Sequence, residues 1–245
     1  MSSITQAVVL LETPSTQDAP ETRAARAGTV VTAWRQTSGR GRFGRNWADT
    51  VNDGVAASFV VHAQSSERLA LIGAVAAATA CEAMLGRQVG VKWPNDVVVA
   101  GRKLAGVLIE RRGDLAVMGI GINVSQRAFE GVLAARATSL RMLRAERDRL
   151  DVLLELVRAV DRALAESDAA LIDAFHARDA LRGTRALFAT PTGPVEGEVR
   201  AIDPMRGLVV RTERGELFLA AMSTSVAEWG VASPRVAEET PQVGD

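Results

Sequence analysis

The chain has 245 residues, and its 29 basic side chains balance 29 acidic ones, so the formal charge is zero. With 47% hydrophobic and 24% charged residues it has a globular composition, long enough for one large domain and a small appendage. Neutrality argues against a dedicated nucleic-acid binder, the lone Cys81 excludes a disulfide framework, and two distant histidines, His62 and His176, argue against a zinc site.

The first residues, M-S-S-I-T-Q, lack the basic start and apolar core of a signal peptide. An apolar strand at V8-V9-L10-L11 precedes the turn T13-P14-S15-T16, where Ser15 or Thr16 is expected to cap a helix ending at Gly28. The β-branched run T29-V30-V31-T32-A33 predicts a strand, and the polar, Gly- and Arg-rich segment 36–47 a loop. Residues 55–61 read as a buried strand, and Ser65 or Ser66 caps a helix through Leu85 that Gly86 stops. Small residues and Glu82 interrupt the apolar stretch 69–85, so no membrane span is expected and the protein is read as cytoplasmic.

Short strand-like runs follow at 89–91, 97–99, 104–110 and 115–122, spaced for antiparallel hairpins. Leu150, Leu153, Leu154, Val157, Val160 and Leu164 recur at helical spacing, and a further helix carries Leu171 and Phe175. From residue 185 short strands and Gly turns at 195–202, 207–211 and 216–220 predict a small β-barrel. The fold class expected is α+β, a mixed and largely antiparallel sheet with helices over residues 1–182, then a small β-domain at 183–232. The Pro- and Glu-containing tail 233–245 is expected to be disordered.

Two segments carry chemistry. Between Thr22 and Ala48 there are six arginines and no acidic residue, and at the centre lies G39-R40-G41-R42-F43-G44-R45-N46-W47. Glycines allow close backbone approach, and guanidinium forks suit phosphate or carboxylate, so the loop can close over an anion. It lacks the G-K-[ST] of a Walker A loop, and it competes with an RNA-binding Arg-Gly segment and with a merely solvated basic loop. Phe43 and Trp47 suit packing or stacking on a base.

The second segment holds the only two lysines among the 29 basic residues, Lys92 and Lys103. K92-W93-P94-N95-D96 ends a strand in a turn, and G101-R102-K103-L104-A105-G106-V107-L108-I109-E110 starts the return. Core packing accounts for Trp93 and turn capping for Asp96 as readily as catalysis does.

Taken together, G-R-G-R-x-G-R-x-W at 39–47, K-W-P-N-D at 92–96, K-L-A-G-x-L-x-E at 103–110 and G-I-G-I-N-V at 119–124 resemble the biotin protein ligases. S15-T16-Q17 and Gln36 upstream, and A137-T138-S139-L140 downstream, fit in order. The resemblance implies a class II synthetase-like catalytic domain and an SH3-like C-terminal barrel. It also implies condensation of biotin with ATP to biotinyl-5′-adenylate, then transfer to a lysine of a biotin carboxyl carrier domain. Mg²⁺ is expected to arrive with ATP, with no protein metal site.

By resemblance, Ser15, Thr16, Gln17, Gln36, Arg40, Gly41, Arg42, Lys103 and Gly106 contact biotin. Arg42, Arg45, Trp47, Asn95, Asp96 and Asn123 contact ATP or the adenylate. Lys103, Arg40 and Arg42 carry the catalytic charge, offsetting the repulsion between carboxylate and phosphate. The chain departs from its relatives at Pro14, Gln17, N52-D53-G54-V55-A56 and S223-T224-S225-V226. Its first motif falls at residue 15, so no DNA-binding helix-turn-helix is expected, and monomer and homodimer both stay open. The rival readings are a lipoate or octanoate ligase or transferase on a similar fold, and a non-catalytic RNA-binding protein.

Overall fold

The structure, a computed structural model, describes residues 3–44, 46–47, 53–221 and 223–230. In chain order it runs β1 (Gln6–Thr13), α1 (Pro20–Ala24), β2 (Thr29–Gln36), then the two-residue strands β3 (Gly39–Arg40) and β4 (Asn46–Trp47) around a 3-10 turn, Arg42–Gly44. Next come β5 (Gly54–His62), α2 (Ser66–Leu85), β6 (Gly90–Lys92), β7 (Asp96–Val99), β8 (Arg102–Arg112) and β9 (Leu115–Asn123). Helices α3 (Leu133–Arg136), α4 (Arg149–Ala165) and α5 (Asp168–His176) precede β10 (Arg185–Thr190), β11 (Gly193–Asp203), β12 (Gly207–Thr212), β13 (Gly215–Ala220) and β14 (Ser225–Trp229).

The larger sheet has seven strands in the order β1-β2-β5-β9-β8-β7-β6. Only β1 and β2 are parallel; every other neighbouring pair is antiparallel. The architecture is therefore α+β with antiparallel-rich sheets, as expected. The last five strands form a second sheet, β13-β12-β11-β10-β14. It adds β10 and β14 to the strand runs that composition had marked.

Helix α2 owes its bounds to local chemistry. The Ser65 hydroxyl accepts the Arg68 N–H at 3.1 Å, and Gly86 closes the helix at φ 66°, a left-handed angle that costs glycine little. By length and hydropathy α2 could cross a membrane, yet it is an interior helix that lies on β8 and β9, with α4 and α5 against it. Its alanine-rich surface permits this close packing. Buried residues of the helices and both sheets form one connected apolar cluster, and the indole of Trp93 donates to the Pro204 carbonyl at 3.3 Å.

Two expectations need correction. Neither Ser15 nor Thr16 caps a helix: α1 is only five residues, begins with Pro20 at its first turn, and has Ala19 at its N-cap with no side-chain bond. The Thr16 N–H and hydroxyl instead donate to Gln36 Oε1, at 2.9 and 3.2 Å. Nor is 36–47 a plain loop, because β3 and β4 pair Gly39 with Trp47. The short helix α3 was not anticipated. The tail 233–245 lies outside the described residues.

Candidate active site

Helix α2, with α4 and α5 against it, covers one face of the larger sheet, and the other face bears a cavity of about 920 Å³ that α3 also lines. Its floor follows from strand alternation. Met118 of β9 is close enough to α2 that a Cβ on Gly73 would meet its sulfur, so the residues of opposite parity, Gly119 and Gly121, face the cavity. In register, Ala56, Gly121 and Gly106 lie side by side on β5, β9 and β8, and Ser58, Gly119 and Leu108 form the next row. Three glycines, an alanine and a serine leave a hollow where larger side chains would fill the space.

Two side chains descend onto that floor. A Cβ on Gly121 would come within 2.5 Å of the Trp47 ring, and one on Gly119 would collide with the Gln17 amide oxygen. Ser15, Thr16, Gln17 and Gln36 are each buried at the cavity wall. Ser58 donates to the Thr16 hydroxyl at 2.9 Å, which completes a Ser58–Thr16–Gln36 chain of hydrogen bonds across three segments. Small polar groups in fixed orientation are what a compact polar ring system needs for recognition.

The charged side chains come from the loop and the hairpin. Lys103 Nζ lies 2.6 Å from Asp96 Oδ1 and 5.4 Å from the Trp47 ring centroid, while Lys92 Nζ is 3.5 Å from Asp96 Oδ2. Burial pushes the Asp96 carboxyl up, but the two ammoniums outweigh it and hold the group below its ordinary range. Arg42 donates to Asn95 Oδ1 at 3.2 Å, and Asn95 in turn donates to the Val107 carbonyl, tying the arginine loop to the hairpin turn. Arg40 is forked between Asp18, 2.9 Å from Nε, and Glu110, 2.8 Å from its terminal nitrogen.

Asn123 serves partly as a brace. Its Nδ2 donates to the Thr138 carbonyl at 2.9 Å and to Lys103 O at 3.4 Å, and the Thr138 N–H returns to Lys103 O at 2.9 Å. The A-T-S-L segment is thus sewn to the start of β8 beside the lysine. Of the residues singled out from sequence, Ser15, Thr16, Gln17, Gln36, Arg40, Gly41, Arg42, Trp47, Asn95, Asp96, Lys103, Gly106 and Asn123 all line this one cavity. Arg45 lies outside the described residues.

Several partners were missed. Ser58 and Ala56 carry only the weak signal of small residues on one face of a strand. Asp18 and Arg112 sit outside every motif, and Glu110 ends one without an assigned role. Phe129, Val132 and Arg136 near α3, and Glu228 and Trp229 of β14, also reach the cavity; Arg136 and Glu228 approach to 3.9 Å. Among the described residues no group of three or more His, Cys, Asp or Glu side chains could hold a metal ion.

Residues 11–125 match the biotin/lipoate A/B protein ligase family. The biotin–[acetyl-CoA-carboxylase] ligase of Mycobacterium tuberculosis is 33% identical over 189 residues, 72% of this chain and 70% of that protein. The chain belongs to the biotin/lipoate A/B protein ligase family. Another family relative, the bifunctional ligase/repressor BirA of Bacillus spizizenii, is 35% identical over 147 residues, and that match spans only 45% of its length. Among solved structures, the biotin protein ligase of Aquifex aeolicus in complex with biotin and ATP superposes with a TM-score of 0.82 at 27% identity, covering 91% of this chain and 99% of that one. At that coverage the likeness to the solved structure reaches into both sheets described above.

Proposed function

We propose that this chain is an ATP-dependent ligase that activates biotin as biotinyl-5′-adenylate and transfers it to a lysine of a biotin carboxyl carrier domain. The observation that carries the reading is the meeting of Arg40, Arg42 and Lys103 around a cavity whose floor is kept low by Gly106, Gly119 and Gly121. Fold likeness to a ligase solved with biotin and ATP supports the same substrates here.

In the first step a biotin carboxylate oxygen attacks the α-phosphorus of ATP. A mixed anhydride forms, and pyrophosphate leaves with the electron pair of the broken P–O bond. Two anions must approach each other, so fixed cations lower the barrier most where charge develops. We assign that task to Lys103, Arg40 and Arg42. Ser15, Thr16, Gln17 and Gln36, with Gly41 and Gly106, are assigned to the biotin ring and chain. Trp47, Asn95, Asp96 and Asn123, together with Arg42 and Arg45, are assigned to the nucleotide. Magnesium is taken to enter as part of the nucleotide substrate.

In the second step the carrier lysine amine attacks the acyl carbon. An amide forms, AMP departs, and the amine loses a proton. No protein nucleophile is required, because the anhydride is already activated. Until the carrier arrives water must be kept from the anhydride, a role suited to the Gly39–Trp47 hairpin. The second sheet is read as an SH3-like barrel domain beginning near residue 183, and the location as cytoplasmic. Zero net charge supports a reading without a DNA partner.

The test is pyrophosphate release on adding biotin to the protein and MgATP, with lipoate and octanoate in parallel. Biotin-dependent release is expected. Release with lipoate alone, or none with any acid, overturns the assignment.

A further inference from the structure

Glu110 does not line the cavity, yet it touches two residues that do. Its Oε2 accepts from Gln17 Nε2 at 2.8 Å, and its carboxylate pairs with Arg40 at 2.8 Å. The strand β8 carries it there by alternation, because Gly106, Leu108 and Glu110 fall on the same face. Arg112, two residues on, donates to the Gln17 backbone carbonyl and lies 3.8 Å from both Asp18 and Glu110. Glu110 and the guanidiniums of Arg40 and Arg112 thus enclose the Gln17–Asp18 corner.

The consequence for Gln17 is directional. An ionised carboxylate has no proton to donate, so it can face only the NH₂ end of the amide. The amide oxygen is left over Gly119, on the cavity floor, where a Cβ would overlap it. Gln17 is only 5% exposed, so little water competes for that oxygen.

We propose that Glu110 is a positioning residue: it fixes the Gln17 amide as an acceptor aimed into the cavity, and so selects a ligand with N–H donors there. The inference rests on the ligase reading, in which the cyclic urea of biotin supplies those N–H groups and an aliphatic acid supplies none. A site built to accept from a ligand N–H discriminates against analogues lacking it, because the acceptor is then buried unpaired. By holding Arg40 with the same carboxylate, Glu110 also couples the end of the site that reads the ring to the loop that handles the acid.

The experiment compares wild type with Glu110→Gln, Glu110→Asp, Gln17→Leu and the Glu110→Gln/Gln17→Leu double variant. Steady-state pyrophosphate release is read at varied biotin and varied ATP, beside a thermal melt of each protein. Glu110→Gln has nearly the same shape but can donate, so the amide can turn over. Its KM for biotin is expected to rise roughly tenfold, as for one lost buried hydrogen bond, with the KM for ATP changing little. Glu110→Asp, still acceptor-only, falls between it and wild type. The double variant is expected to be no worse than Gln17→Leu alone.

An active wild type with an unchanged biotin KM in Glu110→Gln, or additive losses in the double variant, overturns this inference and leaves the ligase reading intact. Melting temperatures that collapse equally in Glu110→Gln and Glu110→Asp make the carboxylate structural and overturn it too. A wild type without biotin-dependent release overturns both.

Discussion

Lys103 reaches Asp96 across the turn of the β7–β8 hairpin, Nζ to Oδ1 at 2.6 Å, and its end lies over Gly106, where a Cβ would stand in its way. A Cβ on Gly106 would come within 2.6 Å of that nitrogen, so the space is cut to a compact ammonium. A guanidinium carries the same charge in a wide planar fork and does not fit the same place. Lys103→Arg is therefore expected to lose about a hundredfold or more in biotin-dependent pyrophosphate release, close to Lys103→Ala, in line with removal of one oriented charge-stabilising group. An arginine variant at the wild-type rate removes the argument from shape.

The same ion pairs set a pH dependence. Burial raises the Asp96 carboxyl, and the stronger opposing pull of Lys103 and Lys92 leaves it lowered in the folded state. A group whose folded pKa lies below its unfolded value stabilises fully above the unfolded value, about 3.9 for aspartate, and loses that contribution as pH falls through the folded value. Asp96→Asn should thus melt below wild type at pH 7 and at pH 5 alike, and the gap should narrow only in more acid solution. Thermal melts from pH 7 down to pH 2.5 measure it; a gap that closes between pH 7 and pH 5 contradicts the assignment.

The floor glycines separate stability from binding. Gly119 sits in extended backbone, where alanine lowers the entropy cost of folding by about 0.5–1 kcal/mol. Its Cβ, however, enters the volume of the Gln17 amide. Gly119→Ala is expected to keep its melting temperature within a few degrees while its biotin affinity falls at least tenfold, read by calorimetry. Gly121→Ala meets the Trp47 ring instead, and the loss should appear in the KM for ATP.

Away from the cavity, Arg178 grips Glu82 with two bonds of 3.0 and 2.7 Å, and both side chains are under 20% exposed. Glu82 Oε1 also accepts the Val89 N–H, so the pair locks the end of α2 to the approach of β6 and the exit of α5. Arg178→Ala strands a largely buried carboxylate and should cost about 3 kcal/mol in urea unfolding. Replacing both partners with apolar residues, Glu82→Leu with Arg178→Met, should recover only part of it, because the Val89 N–H then loses its acceptor.

How far the chain could be read in advance depends on the range over which each residue acts. Helix α2 was legible because Ser65 and Gly86 lie at its own ends, and the run β6–β7–β8 because Pro94 and Asn95 mark its first turn and Gly101 its second. At Ser15 and Thr16 the same reasoning failed. A hydroxyl before a helical stretch looks like a cap, but Thr16 spends its donors on Gln36, and its hydroxyl oxygen accepts a hydrogen bond from Ser58. Those partners are set by strand pairing far along the chain. The cavity residues were legible through motif resemblance. The Asp18, Glu110 and Arg112 cluster was not, since it exists only where the register of β8 meets the corner after β1.

The sequence confines both of its side-chain amines to one carboxylate on one cavity wall. Elsewhere its positive charge is carried by arginine, which amine-directed acylating reagents leave alone. Such a reagent, applied gently and read by mass spectrometry at Lys92 and Lys103, is in effect a built-in gauge of whether this cavity is open or filled.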